Sequence, residues 1–223
     1  MPAAKTGTLL ALLSLALLGS ATTRAVEESA ASLEARAFAT TPDAKRGAAL
    51  YARHCERCHR ARGSGTGERQ FPKLAGQQER YLLMQLAQFA TLERNAPRMH
   101  RVLSADDIAD PQSLHDLSFY LAEQRPDPHG EHGDGYRLGR GREIYASACS
   151  HCHGNLGEGR AEGPVPSIEA QNFTYLVEQL RGFAAGHPPD IDPRVISAVS
   201  GLSANDRSAV ADFISRLPES AAP

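Results

Sequence analysis

The chain has 223 residues, of which 41% are hydrophobic, 22% charged and 6% aromatic, with a formal charge of −2. At roughly 100 to 200 residues per domain this is one large domain or two small ones, and the near-neutral balance excludes the strongly basic face of a nucleic-acid binder. The informative counts are small: four cysteines, three methionines, no tryptophan, and three lysines (Lys5, Lys45, Lys73) against 21 arginines.

Residues 1–25 read as an export signal. Lys5 gives a short positive start, Leu9 to Gly19 is an apolar run, and Thr23-Arg24-Ala25 offers a small-residue cleavage site. Eleven apolar residues are too few to span a bilayer, which needs about 20. The expectation is therefore a periplasmic protein, with an uncleaved membrane tether as the alternative and no membrane span in the mature chain. Removing Lys5 and Arg24 leaves 22 bases against 26 acids, or −4.

After an N-terminal extension over 26–41, the first unit is expected over 42–125. Thr41-Pro42 reads as an N-cap and proline N1 opening a helix to about His54. Gly63 to Gly67 forms a loop. Gln77 to Thr91 carries Tyr81, Leu82, Leu86 and Phe89 on one helical stripe. Ser104 reads as the cap of a last segment ending near Leu121-Ala122, with Pro111 breaking or kinking it. A Pro/Gly-rich linker follows over 126–137. The second unit, 138–218, repeats the plan with helices near Gly139 to Ala148, Asn172 to Phe183 and Ser203 to Arg216, and 219–223 is a tail. No run alternates with period two, so the fold class is all-α.

In an oxidising compartment four cysteines first suggest two disulfides. Their spacing decides otherwise: Cys55-Glu56-Arg57-Cys58-His59 and Cys149-Ser150-His151-Cys152-His153 are C-x-x-C-H twice and use every cysteine. Two thiols at i and i+3 can add to the vinyl groups of one haem while the adjacent imidazole meets the iron. A thioredoxin-like C-x-x-C needs a βαβ context, and a Cys₄ zinc site needs no histidine after each pair. Cys55, Cys58, Cys149 and Cys152 are thus expected to hold two covalent haem c groups, with His59 and His153 as iron ligands.

The duplication extends well beyond the pentapeptides. At an offset of 94, Arg46-Gly47 falls on Arg140-Gly141, Tyr51 on Tyr145, Pro72 on Pro166, Gln77 on Gln171, Tyr81 on Tyr175 and Phe89 on Phe183. Leu103-Ser104-Ala105-Asp106-Asp107 matches Leu202-Ser203-Ala204-Asn205-Asp206 at an offset of 99, so the second copy has gained five residues in between. One tandem repeat of about 90-residue units is a pair of homologous domains rather than a solenoid. Gly47 and Tyr51, facing Phe119 or Tyr120, permit close helix crossing, with Gly141, Tyr145 and Phe213 as the second-copy equivalents.

These motifs, R-G-x-x-x-Y before each C-x-x-C-H, then P-x-[LI]-x-x-Q, Y-L-x-x-Q-L and L-S-x-x-D, resemble class I cytochromes c from Pro42 to Leu217. The tandem, exported arrangement is similar to the periplasmic two-haem "c-four" type. The resemblance implies two small helical domains related by a pseudo-twofold axis, each holding one haem. It implies electron transfer between redox partners such as respiratory complexes, an oxidase or a reductase. It also implies a methionine as sixth iron ligand in each domain. Met99, in Ala96-Pro97-Arg98-Met99, matches that ligand loop, whereas Met84 lies in the helix stripe and reads as packing. The second unit has no methionine at all. His187 is the only histidine after His153, so the second iron has either His187 or an open or water-filled sixth position. Three functions follow: an electron shuttle, a haem enzyme using an open second site, or a ligand-sensing or assembly subunit. No acid/base pair supports the enzyme, since Glu158, Arg160 and Glu162 also read as a solvated loop. Arg98 and Arg181 are candidate partners for haem propionates.

Overall fold

The computed structural model describes residues 1, 28–67, 71–125, 130–187 and 191–219. Apart from Met1, the proposed export signal lies outside them. Among the described residues the chain is helical, and its only β pairing is an isolated Thr66–Phe71 bridge.

The first unit contains α1 (Ala30–Phe38), α2 (Ala44–His54), α3 (Glu56–His59), a 3₁₀ turn (Ala61–Gly63), α4 (Glu79–Ala90), α5 (Pro97–Leu103) and α6 (Pro111–Ala122). Three boundaries depart from the sequence expectation, each for a capping reason. Asp43, not Thr41, caps α2: its carboxylate accepts from the Lys45 and Arg46 amides at 2.8 and 3.2 Å. Pro111 does not break the last helix but starts it, where its missing N–H costs nothing, and Asp110 accepts from the Ser113 amide at 3.0 Å. Ser104 is the C-cap of α5, a helix where a loop was expected. The Asp107 carboxylate that would have completed a capping box is engaged by Arg53 and His54 instead.

The second unit contains α7 (Leu138–Ile144), a π-helical segment (Tyr145–Cys149), α8 (Ser150–His153), α9 (Phe173–Ala184), α10 (Pro193–Ser200) and α11 (Ala204–Ser215). Here Ser203 and Asp206 do form a capping box at the start of α11. α10 had no counterpart in the sequence reading.

Each unit has its own core. The first joins Leu50 and Tyr51 of α2 to Leu82, Leu83 and Ala87 of α4 and to Leu114, Leu117 and Leu121 of α6. α1, inside the segment read as an extension, adds Ala30, Leu33 and Ala37 to that core; burying Leu33 contributes about 1.5–3 kcal/mol. The second core is smaller: Ile144, Tyr145, Leu176, Val210, Ala211, Ile214 and Leu217. α2 crosses α6, and α7 crosses α11, at a glycine. A Cβ on Gly47 would strike the Asp116 carbonyl, and one on Gly141 would strike that of Ala209. Tyr51 then meets Tyr120 with ring centroids 5.6 Å apart, and Tyr145 meets Phe213 at 5.5 Å.

The two units are joined through a symmetric pair of side-chain amides. Gln171 donates from Nε2 to the Lys73 carbonyl (2.9 Å) and accepts the Lys73 amide at Oε1 (2.7 Å). Gln77 does the same to Ser167, at 2.8 and 3.0 Å. Each Oε1 also accepts the amide of the next residue in its own chain segment, Asn172 or Gln78. Lys73 and Ser167 are themselves repeat equivalents, so the contact is isologous within one chain. The described part of the 126–137 linker is pinned as well: the Gly133 and Gly135 amides donate to buried Asp212 at 2.9 and 2.7 Å.

Candidate haem sites

The first C-x-x-C-H occupies a sharp turn. Cys55 ends α2 at φ −114° and starts α3, which carries Cys58 and closes on His59. This sets the two thiols one helical turn apart on a rigid support. His59 is buried, and its Nδ1 donates to the Pro72 carbonyl at 3.3 Å. Burial pushes its pKa down against a smaller upward pull from that carbonyl. The imidazole is thereby kept neutral and oriented, with Nε2 as its free donor atom. The second site repeats the arrangement: His153 Nδ1 donates to the Pro166 carbonyl at 3.0 Å, and burial again lowers its pKa. Burial raises the Cys55 thiol to about 12 and the Cys149 thiol to about 11, in each case with help from the second cysteine of the pair. The loop behind each motif is copied too. Tyr51 donates to the Arg60 carbonyl and Tyr145 to that of Gly154, both at 2.6 Å. The Gly65 and Gly159 amides donate to the carbonyls of His59 and His153, both at 2.8 Å.

None of the four cysteines pairs with another in a disulfide. Among the described residues no three His, Cys, Asp or Glu side chains converge on a metal-sized site. Two thiols plus one oriented imidazole per motif is a donor set that fits covalent haem, since the porphyrin supplies the remaining nitrogens.

Each unit also carries a short helix opening with Pro-Arg. In α5, Pro97 and Arg98 precede Met99. The Arg98 guanidinium lies 5.6 Å over the Phe71 ring, whose centroid is 5.7 Å from that of His59. In α10, Pro193 and Arg194 precede Val195, and Arg194 is paired with Asp192. Val195 thus follows Pro-Arg in α10, as Met99 follows it in α5. His187 is exposed at the end of α9, its amide donating to the Gly182 carbonyl at 2.9 Å. Arg181 is paired with Glu178 and 71% exposed. Met84 lines a cavity of about 230 Å³ with Glu34, Arg80, Glu162, Gly163 and Pro164. His115 is buried between Thr40 (3.0 Å) and Glu79 (2.8 Å), and Phe38 stacks on its ring. Sequence reasoning found the repeat glutamines but not their role as the interdomain bolt.

A duplicated helical unit, each copy with one C-x-x-C-H turn backed by a buried, oriented histidine, defines a two-haem c-type cytochrome, with two covalently bound haem c groups. Residues 44–124 match the family model described as cytochrome c, and residues 137–214 match that of the cbb3-type cytochrome c oxidase subunit III. The chain is 34% identical to cytochrome c4 of Pseudomonas aeruginosa over 172 residues, covering 73% of this chain and 83% of that one. It is 30% identical to the thiosulfate dehydrogenase electron acceptor of Thiomonas intermedia, over 74% of this chain and 78% of that one. The solved structure of reduced cytochrome c4 from Pseudomonas stutzeri superposes with a TM-score of 0.70 at 28% identity, covering 80% of this chain and all of that one. The chain belongs to the cytochrome c4 family and is a dihaem electron-transfer protein.

Proposed function

We propose that this cytochrome carries electrons between redox enzymes of a periplasmic respiratory chain, and that its two haems are not equivalent. Cys55 and Cys58 would anchor the first haem in the unit 42–125, with His59 and Met99 as its iron ligands. Cys149 and Cys152 would anchor the second in the unit 138–218, with His153 as ligand and no methionine available from that unit. Haem supplies the one-electron chemistry. The protein's own residues orient the two imidazoles through Pro72 and Pro166 and hold the two units in one register through Gln77 and Gln171. Export follows from the signal read over 1–25. No helix among the described residues is long and apolar enough to cross a membrane. The relative in Thiomonas intermedia, named as an electron acceptor of another enzyme, supports the carrier role.

The observation that carries the asymmetry is the Pro-Arg-Met start of α5 against the Pro-Arg-Val start of α10. Together with the exposure of His187 it favours an accessible sixth position on the second iron. Small-ligand binding there is the second reading. Carbon monoxide titration of the reduced protein tests both. One of two haems is expected to bind it, with no change in His187→Ala. Failure to bind until His187 is removed would make that histidine the ligand, and a methionine charge-transfer band from both ferric haems would overturn the assignment.

A further inference from the structure

The two haem-attachment turns share their backbone frame but not their charge. Residues 53–62 contain Arg53, Arg57, Arg60 and Arg62 against Glu56, a formal +3. The equivalent stretch, 147–156, replaces the four arginines with Ser147, His151, Gly154 and Leu156 and is formally neutral. Arg53 is paired with Asp107. Arg57, Arg60 and Arg62 are exposed and form no ion pair among the described residues. In the second copy Leu156 is one of the exposed large apolar side chains, and the nearby Arg160 shares its loop with Glu158 and Glu162.

Arg60 stands where the fold requires glycine. Its backbone is at φ 63°, ψ 176°, and its counterpart Gly154 is at φ 81°, ψ 175°. That region is populated almost only by glycine, so a side chain there is held under strain. The same hydrogen bond from a buried tyrosine, Tyr51 or Tyr145, locks the residue's carbonyl in both copies, so the first copy cannot relax away. Arg62 adds a second left-handed residue at φ 53°. The second copy demonstrates that the turn builds well with glycine, so the strain at Arg60 serves no need of the fold.

We propose that Arg57, Arg60 and Arg62 form a docking face for an acidic redox protein at the first haem, and that Arg60 is kept for its charge at the expense of stability. The second haem face, neutral and tipped by Leu156, takes no such partner, so electrons enter and leave through chemically distinct surfaces. The inference rests on the electron-carrier reading above. Guanidinium groups suit this role because they pair with carboxylates in a planar fork and keep their charge at all working pH values.

The experiment uses the haem-loaded protein, with poly-L-glutamate as the acidic surface and ferricyanide against a cationic cobalt chelate as redox probes. Arg57→Gln and Arg60→Gly are each expected to weaken polyglutamate binding about two- to fivefold, the range of a solvent-exposed charge pair. Both should flatten the decline of the ferricyanide rate with ionic strength while leaving the cobalt rate unchanged or faster. Arg60→Gly alone should raise Tm by a few degrees. Unaltered polyglutamate binding and salt dependence in both variants would overturn the docking face, and a lower Tm in Arg60→Gly would overturn the strain argument. Binding to phosphatidylglycerol vesicles but not to polyglutamate would replace the protein partner with a lipid surface. A protein that neither probe oxidises would instead refute the electron-carrier reading itself.

Discussion

Replacing Gln171 with alanine removes the whole side-chain amide from a buried interface and leaves three backbone groups behind. The Lys73 N–H and the Asn172 N–H lose their acceptor and the Lys73 carbonyl loses its donor. An unsatisfied buried group costs about 1–3 kcal/mol. The small cavity beside these residues, about 10 Å³ and lined by Lys73, Gln77, Ser167 and Gln171, is large enough for one water at most. Partial rescue by that water brings the expected loss to about 2–5 kcal/mol. Against a typical total of 5–15 kcal/mol, this is enough to separate the unfolding of the two units. Urea unfolding of the haem-loaded protein, followed by Soret absorbance and far-ultraviolet circular dichroism, should show one coincident transition in the wild type and two in Gln171→Ala. Gln77→Ala should match it, and the double variant should fall short of additivity because both amides close one interface. A Gln171→Ala protein that unfolds in a single transition within about 0.5 kcal/mol of wild type would refute the view that these amides hold the units together.

Gly47→Ala and Gly141→Ala should each destabilise by about 3 kcal/mol or more in the same assay, since the added methyl meets a backbone carbonyl that cannot step aside. Asp43→Ala should cost about 1 kcal/mol through loss of the α2 cap, while Thr41→Ala should be close to neutral there. In alkali, burial raises the phenol pKa of Tyr51, Tyr145 and Tyr81, the last to about 12. The unfolded chain then releases protons above pH 10 that the native state keeps, so stability is level below pH 10 and falls above it. Tyr81→Phe should shallow that fall in the urea assay repeated above pH 10.

Helix positions were legible wherever apolar spacing and a repeat reinforced each other, as in α4, α9 and α11. The C-x-x-C-H turns and their histidines were legible because their chemistry demands a fixed local spacing. What escaped was set by tertiary choice. α1 has only nine residues and no partner motif in the second unit, so nothing but its burial against α4 and α6 identifies it. The cap at Asp43 rather than Thr41 turns on which oxygen reaches two amides, and sequence offered both. His115 looks like any polar surface residue until Thr40 and Glu79 are folded against it. Gln77 and Gln171 were visible as a repeated pair, but a repeated polar residue does not announce that it binds its counterpart's neighbour across a pseudo-twofold axis.

Symmetry has been kept and lost at different places in this chain, and the division follows physical role. Positions that build the turn or join the units are retained in both copies: Tyr51 and Tyr145, Pro72 and Pro166, Gln77 and Gln171, with hydrogen bonds that agree to within a few tenths of an ångström. Other positions have diverged. Met99 faces Val195 in the alignment of α5 with α10, and Arg60 faces Gly154. Lys73, equivalent to Ser167, reaches across to the Glu169 carbonyl at 3.0 Å and the Glu219 carboxylate at 3.1 Å. Its burial lowers its pKa, and the charge of Glu219 restores part of the loss. A buried cation of this kind is costly unless paired, so Lys73→Ser, which copies the second unit into the first, should leave the glutamine bolt intact while freeing the C-terminal segment. Faster hydrogen exchange confined to the residues after Leu217 would agree with that division. Loss of protection at Gln78 and Asn172 as well would place Lys73 in the bolt and make the interface asymmetric at its centre.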